Sequence, residues 1–126
     1  MSFRFKTASS PRGTLDTSLG PTATSKWASH FCREVHRLTG HGCILYTGPS
    51  FWKTKAGDPA RPPAHGVVLW IAHYGVATPS VPRAWGHRGW NFWQYTERGS
   101  CPGVHGKVDL NHWYGSLAAF NALLID

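Results

Sequence analysis

VVLWIAHY, residues 67–74, is apolar at nearly every position, and it lies between a Pro-rich loop, DPARPPAHG (58–66), and a second loop, VATPSVPRAWG (76–86). Continuous apolar runs of this length are typical of strands that are covered on both faces, as in parallel sheets flanked by helices. The loops on both sides set its limits, because Pro and Gly interrupt regular structure. We therefore expect residues 67–74 to form a buried strand of an α/β fold.

The segment before this strand predicts a helix, a strand and a further helical turn. Apolar side chains recur at helical spacing over residues 24–39, and Gly40 stands where a helix stop is expected. The positions that carry this spacing are Trp27, Phe31, Val35 and Leu38. CILYT (43–47) predicts a short buried strand, and FWKT (51–54) predicts one helical turn.

The segment after the strand predicts two more strands and a closing helix. WNFWQYT (90–96) predicts an aromatic strand, and RGSCPGVHGKVDLN (98–111) predicts a turn that leads into a short strand. GSLAAFNALLID (115–126) predicts a last helix with Ser116 as its N-cap. The expected order is therefore helix, strand, short helix, strand, strand, short strand, helix.

Length and composition indicate one globular domain with many turns. The chain has 126 residues, of which 41% are hydrophobic, with 14 Gly and nine Pro. A formal charge of +7 favours polyanionic partners such as nucleic acid, teichoic acid or an anionic membrane. Because the basic residues are scattered and no nucleic-acid-binding motif is recognisable, we expect no specific nucleic-acid partner.

The N-terminal residues carry no targeting or membrane segment. Residues 1–13 are polar and rich in Pro and Ser, and we expect them to be a poorly ordered lead. No apolar run has the length of a signal peptide, and none approaches the 18 residues of a membrane span. The expectation is a protein that stays in the cytoplasm until it is released and has no membrane span.

The cysteines and histidines allow a bridge or a metal site, but they demand neither. Of three cysteines, Cys32 lies on the predicted helix and Cys43 on the strand after it, so these two could form a disulfide. Reduced thiols are nevertheless the default expectation. His30 precedes Cys32, and His41 precedes Cys43, by two residues. Residues two apart point about 200° apart around a helix, so one helix does not easily direct both side chains at one zinc ion. We expect no metal and no cofactor.

Several segments, taken in order, resemble the second half of a family 25 glycoside hydrolase. The first is LDTSLG (15–20), which the predicted helix at 24–39 follows. The others are ILYTGPSFW (44–52), LWIAHYG (69–75), WQYTERGSCPGVHGKVDLN (93–111) and YGSLAAF (114–120). These enzymes are lysozymes, or N-acetylmuramidases, of phage endolysins and bacterial autolysins. The resemblance implies that residues 14–126 form a truncated domain of this type, a partial and irregular (β/α) barrel. A complete eight-stranded barrel takes about 250 residues, so the earlier strands are expected to be missing.

The resemblance also implies a substrate and a reaction. Family 25 enzymes bind the glycan strands of peptidoglycan in a groove at the strand ends and cut the β-1,4 bond between N-acetylmuramic acid and N-acetylglucosamine. Such a reaction needs a proton donor and a second carboxylate. Asp16 matches the first member of the family's Asp-x-Glu pair, and Asp109 matches its late aspartate.

The general acid departs from the family pattern. Where the family reads Leu-Asp-x-Glu, this chain reads Leu-Asp-Thr-Ser at residues 15–18, so either serine replaces glutamate or two residues have been lost. Both interpretations remove the proton donor and predict impaired cleavage. The alternative function is a non-catalytic, wall-binding or vestigial fragment, with anionic cell-wall polymers as further partners because of the positive charge.

By the same resemblance, five side chains are candidates for substrate binding: Tyr46, Trp70, Tyr74, Gln94 and Tyr95. Aromatic rings stack against the apolar faces of sugars, but strand aromatics are also common core residues. Alternation along a strand places Trp93 and Tyr95 on one face and Gln94 on the other. Asp16 could equally be a turn or cap residue, and Asp109 an exposed loop acid.

Overall fold

The computed structural model describes residues 19–124, in which helices and strands follow one another in the predicted order. The elements are α1 (Pro21–Thr39), β1 (Ile44–Thr47), α2 (Pro49–Ala56), β2 (Val68–Ala72), β3 (Phe92–Gly99), β4 (Val108–Trp113) and α3 (Leu117–Asn121). A short 3-10 turn, Arg83–Trp85, lies between β2 and β3. The predicted lead, residues 1–13, and the LDTS segment with Asp16 lie outside the described residues.

The four strands form one mixed sheet in the order β1-β2-β3-β4. β1, β2 and β3 run parallel, and β4 runs antiparallel to β3. This confirms that the three apolar segments predicted as strands are neighbours in one sheet. The predicted α/β class is also confirmed. The described strands nevertheless form an open sheet and not a closed barrel, because a barrel of this kind needs about eight strands to close, and here β1 and β4 remain edges.

The main hydrophobic core lies between one face of the sheet and helices α1 and α2. Leu69 and Ile71 of β2 are completely buried. They belong to one cluster with side chains from both helices, the 3-10 turn and β3, which are Ala28, Cys32, Trp52, Ala56, Trp85 and Trp93. Trp70, on the other face of β2, is buried as well. The expectation that this strand is covered on both faces is therefore confirmed.

Helix α1 begins earlier than predicted and buries a different side. Pro21 occupies its first turn, where a missing N–H costs nothing, and Gly40 ends it in the left-handed conformation at φ 72°. The buried residues are Thr24, Ala28 and Cys32, whereas Trp27 and Phe31 are about half exposed, at 48% and 49%. The small buried side chains belong to the core cluster, and α1 packs against α2, while the large apolar residues lie on the flank of the helix.

The remaining helices occur where they are expected but differ in length, since α3 spans only Leu117–Asn121 of the predicted segment 115–126. The predicted single turn after β1 is an eight-residue helix, α2, which ends at Gly57 in the left-handed conformation. Ser116 caps α3 as predicted, because its Oγ accepts a hydrogen bond from the Ala119 N–H at 3.1 Å. This cap sets the start of α3 directly after β4.

Candidate functional site

The candidate site lies where the carboxyl ends of the parallel strands meet. Tyr46 is the penultimate residue of β1, and Tyr74 follows the end of β2 by two residues. Gln94 lies within β3, and Asp109 is the second residue of β4, which runs in the opposite direction and therefore starts at this edge. In open α/β sheets and barrels this edge is where ligands bind.

A hydrogen-bonded pair joins β1 to β3 across β2. The Tyr46 hydroxyl donates a hydrogen bond to Gln94 Oε1, and the neighbouring Tyr74 influences the pKa of Tyr46. Gln94 is only 4% exposed. A buried amide of this kind needs its partners, because an unsatisfied polar group in a protein interior is destabilising. Tyr46 is therefore fixed in place by the sheet beneath it.

A row of aromatic rings crosses this face of the sheet. The ring of Trp70 lies 5.3 Å from that of Tyr46, nearly perpendicular to it, and 5.6 Å from that of Phe92. Phe92 in turn lies 4.7 Å from Trp113. Trp70 Nε1 donates a 2.7 Å hydrogen bond to Asn111 Oδ1. Since Trp70 is 9% exposed, it forms the base of the site rather than an open stacking surface.

The accessible rings of the site are the two tyrosines. Tyr46 is 44% exposed and Tyr74 is 41% exposed. The pKa of Tyr46 is raised well above its usual value, first by burial, then by the hydrogen bond to Tyr74 and by the negative charges of Asp109 and Glu97. Burial and the same two carboxylates raise the pKa of Tyr74, although its bond to Tyr46 opposes this. Both hydroxyls, protonated at neutral pH like any tyrosine, therefore ionise only at still higher pH.

Glu97 is a site residue that the sequence reasoning missed. The pairing of β3 with β4 is irregular between Thr96, opposite Leu110, and Gly99, opposite Val108. Two residues of β3, at positions 97 and 98, therefore stand against the single residue Asp109 of β4. The charge of Glu97, like that of Asp109, raises the pKa of both tyrosines. Strict alternation along β3 does not reveal Glu97, because a bulge changes which face a residue occupies.

The structure separates Tyr95 from the other candidates. Its ring stacks on His112 at 4.3 Å and lies 6.0 Å from Trp93. Trp93 and His112 are paired across β3 and β4, whereas Gln94 is paired with Asn111. Tyr95 therefore lies with Trp93 on the opposite face from Gln94, as alternation predicts, and it packs against the core. Tyr46, Trp70, Tyr74, Gln94 and Asp109 are brought together without it.

The loop that carries Tyr74 is held by its neighbour in the chain, His73. The His73 N–H donates to the Gln94 carbonyl at 3.2 Å, and the His73 carbonyl accepts from Trp93 Nε1 at 2.8 Å. The Ser80 N–H donates to His73 Nδ1 at 3.0 Å. These three bonds fix the chain just after β2, so that the position of Tyr74 is set by the scaffold.

Neither a metal centre nor a membrane helix is found in the part of the chain that the structure describes. Within residues 19–124, no group of three or more His, Cys, Asp or Glu side chains is placed to hold a metal ion. Within the same residues, no helix is both long and apolar enough to cross a membrane. The arrangement offers hydroxyl donors, an amide, carboxylates and aromatic surface, which together suit a polar, ring-shaped ligand.

The chain is similar to a family model, to a relative of known name and to solved structures. The family model of glycosyl hydrolases family 25 matches residues 15–104. Lysozyme M1 of Streptomyces globisporus is 35% identical over 117 residues, which is 90% of this chain and 37% of that protein. The bacterial lysozyme of Streptomyces coelicolor is 34% identical, with a TM-score of 0.74, over 84% of this chain and 48% of that one. The muramidase of Acremonium alcalophilum is 27% identical, with a TM-score of 0.70, over 84% and 47%. This chain therefore spans at most about half the length of these relatives.

Proposed function

The chain belongs to glycosyl hydrolases family 25, and on that premise we propose that it is a peptidoglycan-directed, lysozyme-like domain. Its sheet corresponds to one part of an irregular (β/α) barrel, and its ligand site is the carboxyl edge described above. The ligand is the glycan strand of peptidoglycan, and the place of action is the bacterial cell wall. The observation that carries this proposal is the convergence of Tyr46, Tyr74, Gln94 and Asp109 at one strand edge.

The two exposed tyrosines would bind the sugar. Flat rings stack against the apolar faces of pyranoses, and the tyrosine hydroxyls add hydrogen bonds at the ring edge. Both hydroxyls are protonated at neutral pH, as ordinary tyrosines are, and burial and nearby carboxylates raise their pKa further. The ring of Trp70 packs against the ring of Tyr46, and Trp70 is itself held by its hydrogen bond to Asn111. This scaffold holds the donors in place before the ligand arrives, which reduces the entropic cost of binding.

The carboxylates would serve the chemistry of glycoside cleavage. Glycosidases protonate the leaving oxygen with one carboxylic acid and stabilise the positive sugar carbon with a second carboxylate. Asp109 stands beside the tyrosines in a position suited to the second role. Asp16 is the candidate partner from the sequence, and it lies outside the described residues. Because residues 15–18 read Leu-Asp-Thr-Ser and lack the family's glutamate, we propose that binding is retained and that cleavage is slow.

Retention on purified peptidoglycan, followed by an assay of released reducing ends, tests this proposal. The assay uses cell walls stripped of teichoic acid, at physiological salt. Under these conditions, retention reports glycan recognition and not the attraction of a chain of charge +7 to an anionic polymer. Tyr74→Ala should weaken retention, whereas the matched control Tyr114→Ala should not, since Tyr114 is exposed and its ring lies against Trp90. Retention only on teichoic-acid-bearing walls would favour the anionic-polymer alternative. Absence of retention on both would refute the proposed function.

A further inference from the structure

Two buried thiols lie next to each other between α1 and β1. Cys32 is on the buried side of α1 and is 1% exposed, and Cys43 directly precedes β1 and is 6% exposed. Both belong to the hydrophobic cluster under the sheet. All three cysteines of the chain are free thiols, and the third, Cys101, is exposed. The buried pair has no part in the proposed glycan site.

The two thiols belong to the same buried cluster and influence each other's ionisation. Hydrogen bonding with Cys43, together with burial, raises the pKa of Cys32 far above its usual value. The same interaction lowers the pKa of Cys43, against the opposing effect of burial. Cys43 is therefore the sulfur that accepts negative charge more readily. A thiolate is the reactive species in thiol–disulfide exchange.

We propose that Cys32 and Cys43 form a redox-sensitive pair, which a small-molecule disulfide such as glutathione disulfide converts into an intrachain disulfide that links α1 to β1. In the first step the Cys43 thiolate attacks one sulfur of glutathione disulfide, whose S–S bond breaks, and one glutathione thiolate leaves. In the second step Cys32 loses its proton and attacks the Cys43 sulfur of the mixed disulfide, and the second glutathione leaves. Two electrons pass from the protein to the oxidant, and two molecules of reduced glutathione are formed.

This link would fasten the helix to the strand that carries Tyr46. The cross-link closes a short loop that contains the turn at Gly40, and closing a loop reduces the conformational freedom of the unfolded chain. Disulfides persist in oxidising surroundings outside the cell and are reduced in the cytosol. The pair would therefore stabilise the fold after release, whether or not the chain binds glycan.

Peptide mapping of the full chain tests the pairing. The protein is incubated with glutathione disulfide, quenched with acid and alkylated, beside a Cys101→Ser variant that retains the buried pair. Trypsin cleaves after Lys26, Arg33, Arg37 and Lys53, so that Cys32 and Cys43 fall on separate peptides, 27–33 and 38–53. We expect a loss of about 2 Da from the Cys101→Ser protein and a linked species of these two peptides that dithiothreitol separates.

Thermal unfolding then tests the stabilising role. A native disulfide should raise the Tm of the Cys101→Ser protein by roughly 5–10 °C, and dithiothreitol should reverse the rise. A Cys43→Ser/Cys101→Ser protein should show no such response. The same concentrations of glutathione disulfide are applied to the native chain and to the chain unfolded in urea. If the pair is oxidised in urea but stays reduced in the native chain, the proposal is overturned. A linked pair with an unchanged or lower Tm would overturn the stabilising role.

Discussion

The Tyr46 hydroxyl on the edge strand β1 donates a hydrogen bond to the Gln94 side-chain oxygen on β3, across the strand that lies between them. Because Gln94 is almost completely buried, this bond does two things at once. It satisfies a polar group inside the fold, and it presents the ring of Tyr46 at the candidate site. Stability and ligand recognition are therefore coupled through one pair of side chains.

Removing the Tyr46 hydroxyl should destabilise the fold. Tyr46→Phe leaves the Gln94 amide buried with a lost partner, which should lower the free energy of unfolding by about 1–3 kcal/mol. Urea denaturation measures the change. Tyr114→Phe, at an exposed site, is the control and should change stability by less than about 0.5 kcal/mol. The Tyr46→Phe/Gln94→Leu double variant should recover part of the loss, and a purely additive result would contradict the coupling.

Two tryptophans, one buried in β2 and one half exposed on α1, should differ strongly in their effect on stability. Trp70→Ala removes a buried ring and the hydrogen bond to Asn111 and should cost about 3–5 kcal/mol. Trp27→Ala removes a half-exposed ring that stacks on Phe31 at 5.4 Å and should cost about 1 kcal/mol or less. Denaturant midpoints of the two variants check this. Equal losses would mean that the buried side of α1 is the one with the large apolar residues.

Tyr46 should ionise at unusually high pH. Its pKa is raised in the folded state, first by burial, so the folded protein keeps this proton after the unfolded chain has begun to lose it at about pH 10. The stabilisation is therefore complete below about pH 10 and is lost as the pH rises through the folded pKa. The difference in absorbance at 295 nm between wild type and Tyr46→Phe isolates this group. Tyrosinate formation by Tyr46 at or below pH 10 would contradict the described environment.

Cleavage of peptidoglycan by this chain should be weak. A positioned general acid contributes about 10²- to 10⁴-fold in rate, and residues 15–18, Leu-Asp-Thr-Ser, lack the family's glutamate. Turbidity loss of a wall suspension should therefore be at least about 10²-fold slower than with Lysozyme M1 of Streptomyces globisporus assayed alongside. Asp16→Asn and Asp109→Asn are assayed in parallel. Rapid lysis that either substitution abolishes would show that another acid donates the proton.

The elements of the sheet could be predicted because apolar runs bounded by Pro and Gly leave few alternatives. Residues 67–74 are the clearest example. Alternation along β3 also separated Tyr95 from Gln94 correctly, even though the pairing with β4 shifts register between Gln94 and Thr96. The buried side of α1 was not predictable from apolar spacing, since the small side chains of Ala28 and Cys32 join the core while Trp27 and Phe31 stay half exposed. Glu97 was missed because a bulge, which depends on pairing with β4, brings it beside Asp109.

The most direct test of the central claim is a titration with soluble peptidoglycan fragments, followed through the indole N–H resonances of the seven tryptophans. Trp70→Phe and Trp27→Phe assign the two signals that matter. Trp70 lies under Tyr46 at the candidate site, and Trp27 lies on the flank of α1, which contributes to the opposite face of the sheet. We predict that the fragments shift the Trp70 resonance and leave that of Trp27 unchanged. No shift of Trp70 at saturating fragment, or a shift of Trp27 alone, would contradict the proposal that this edge of the sheet binds peptidoglycan glycan.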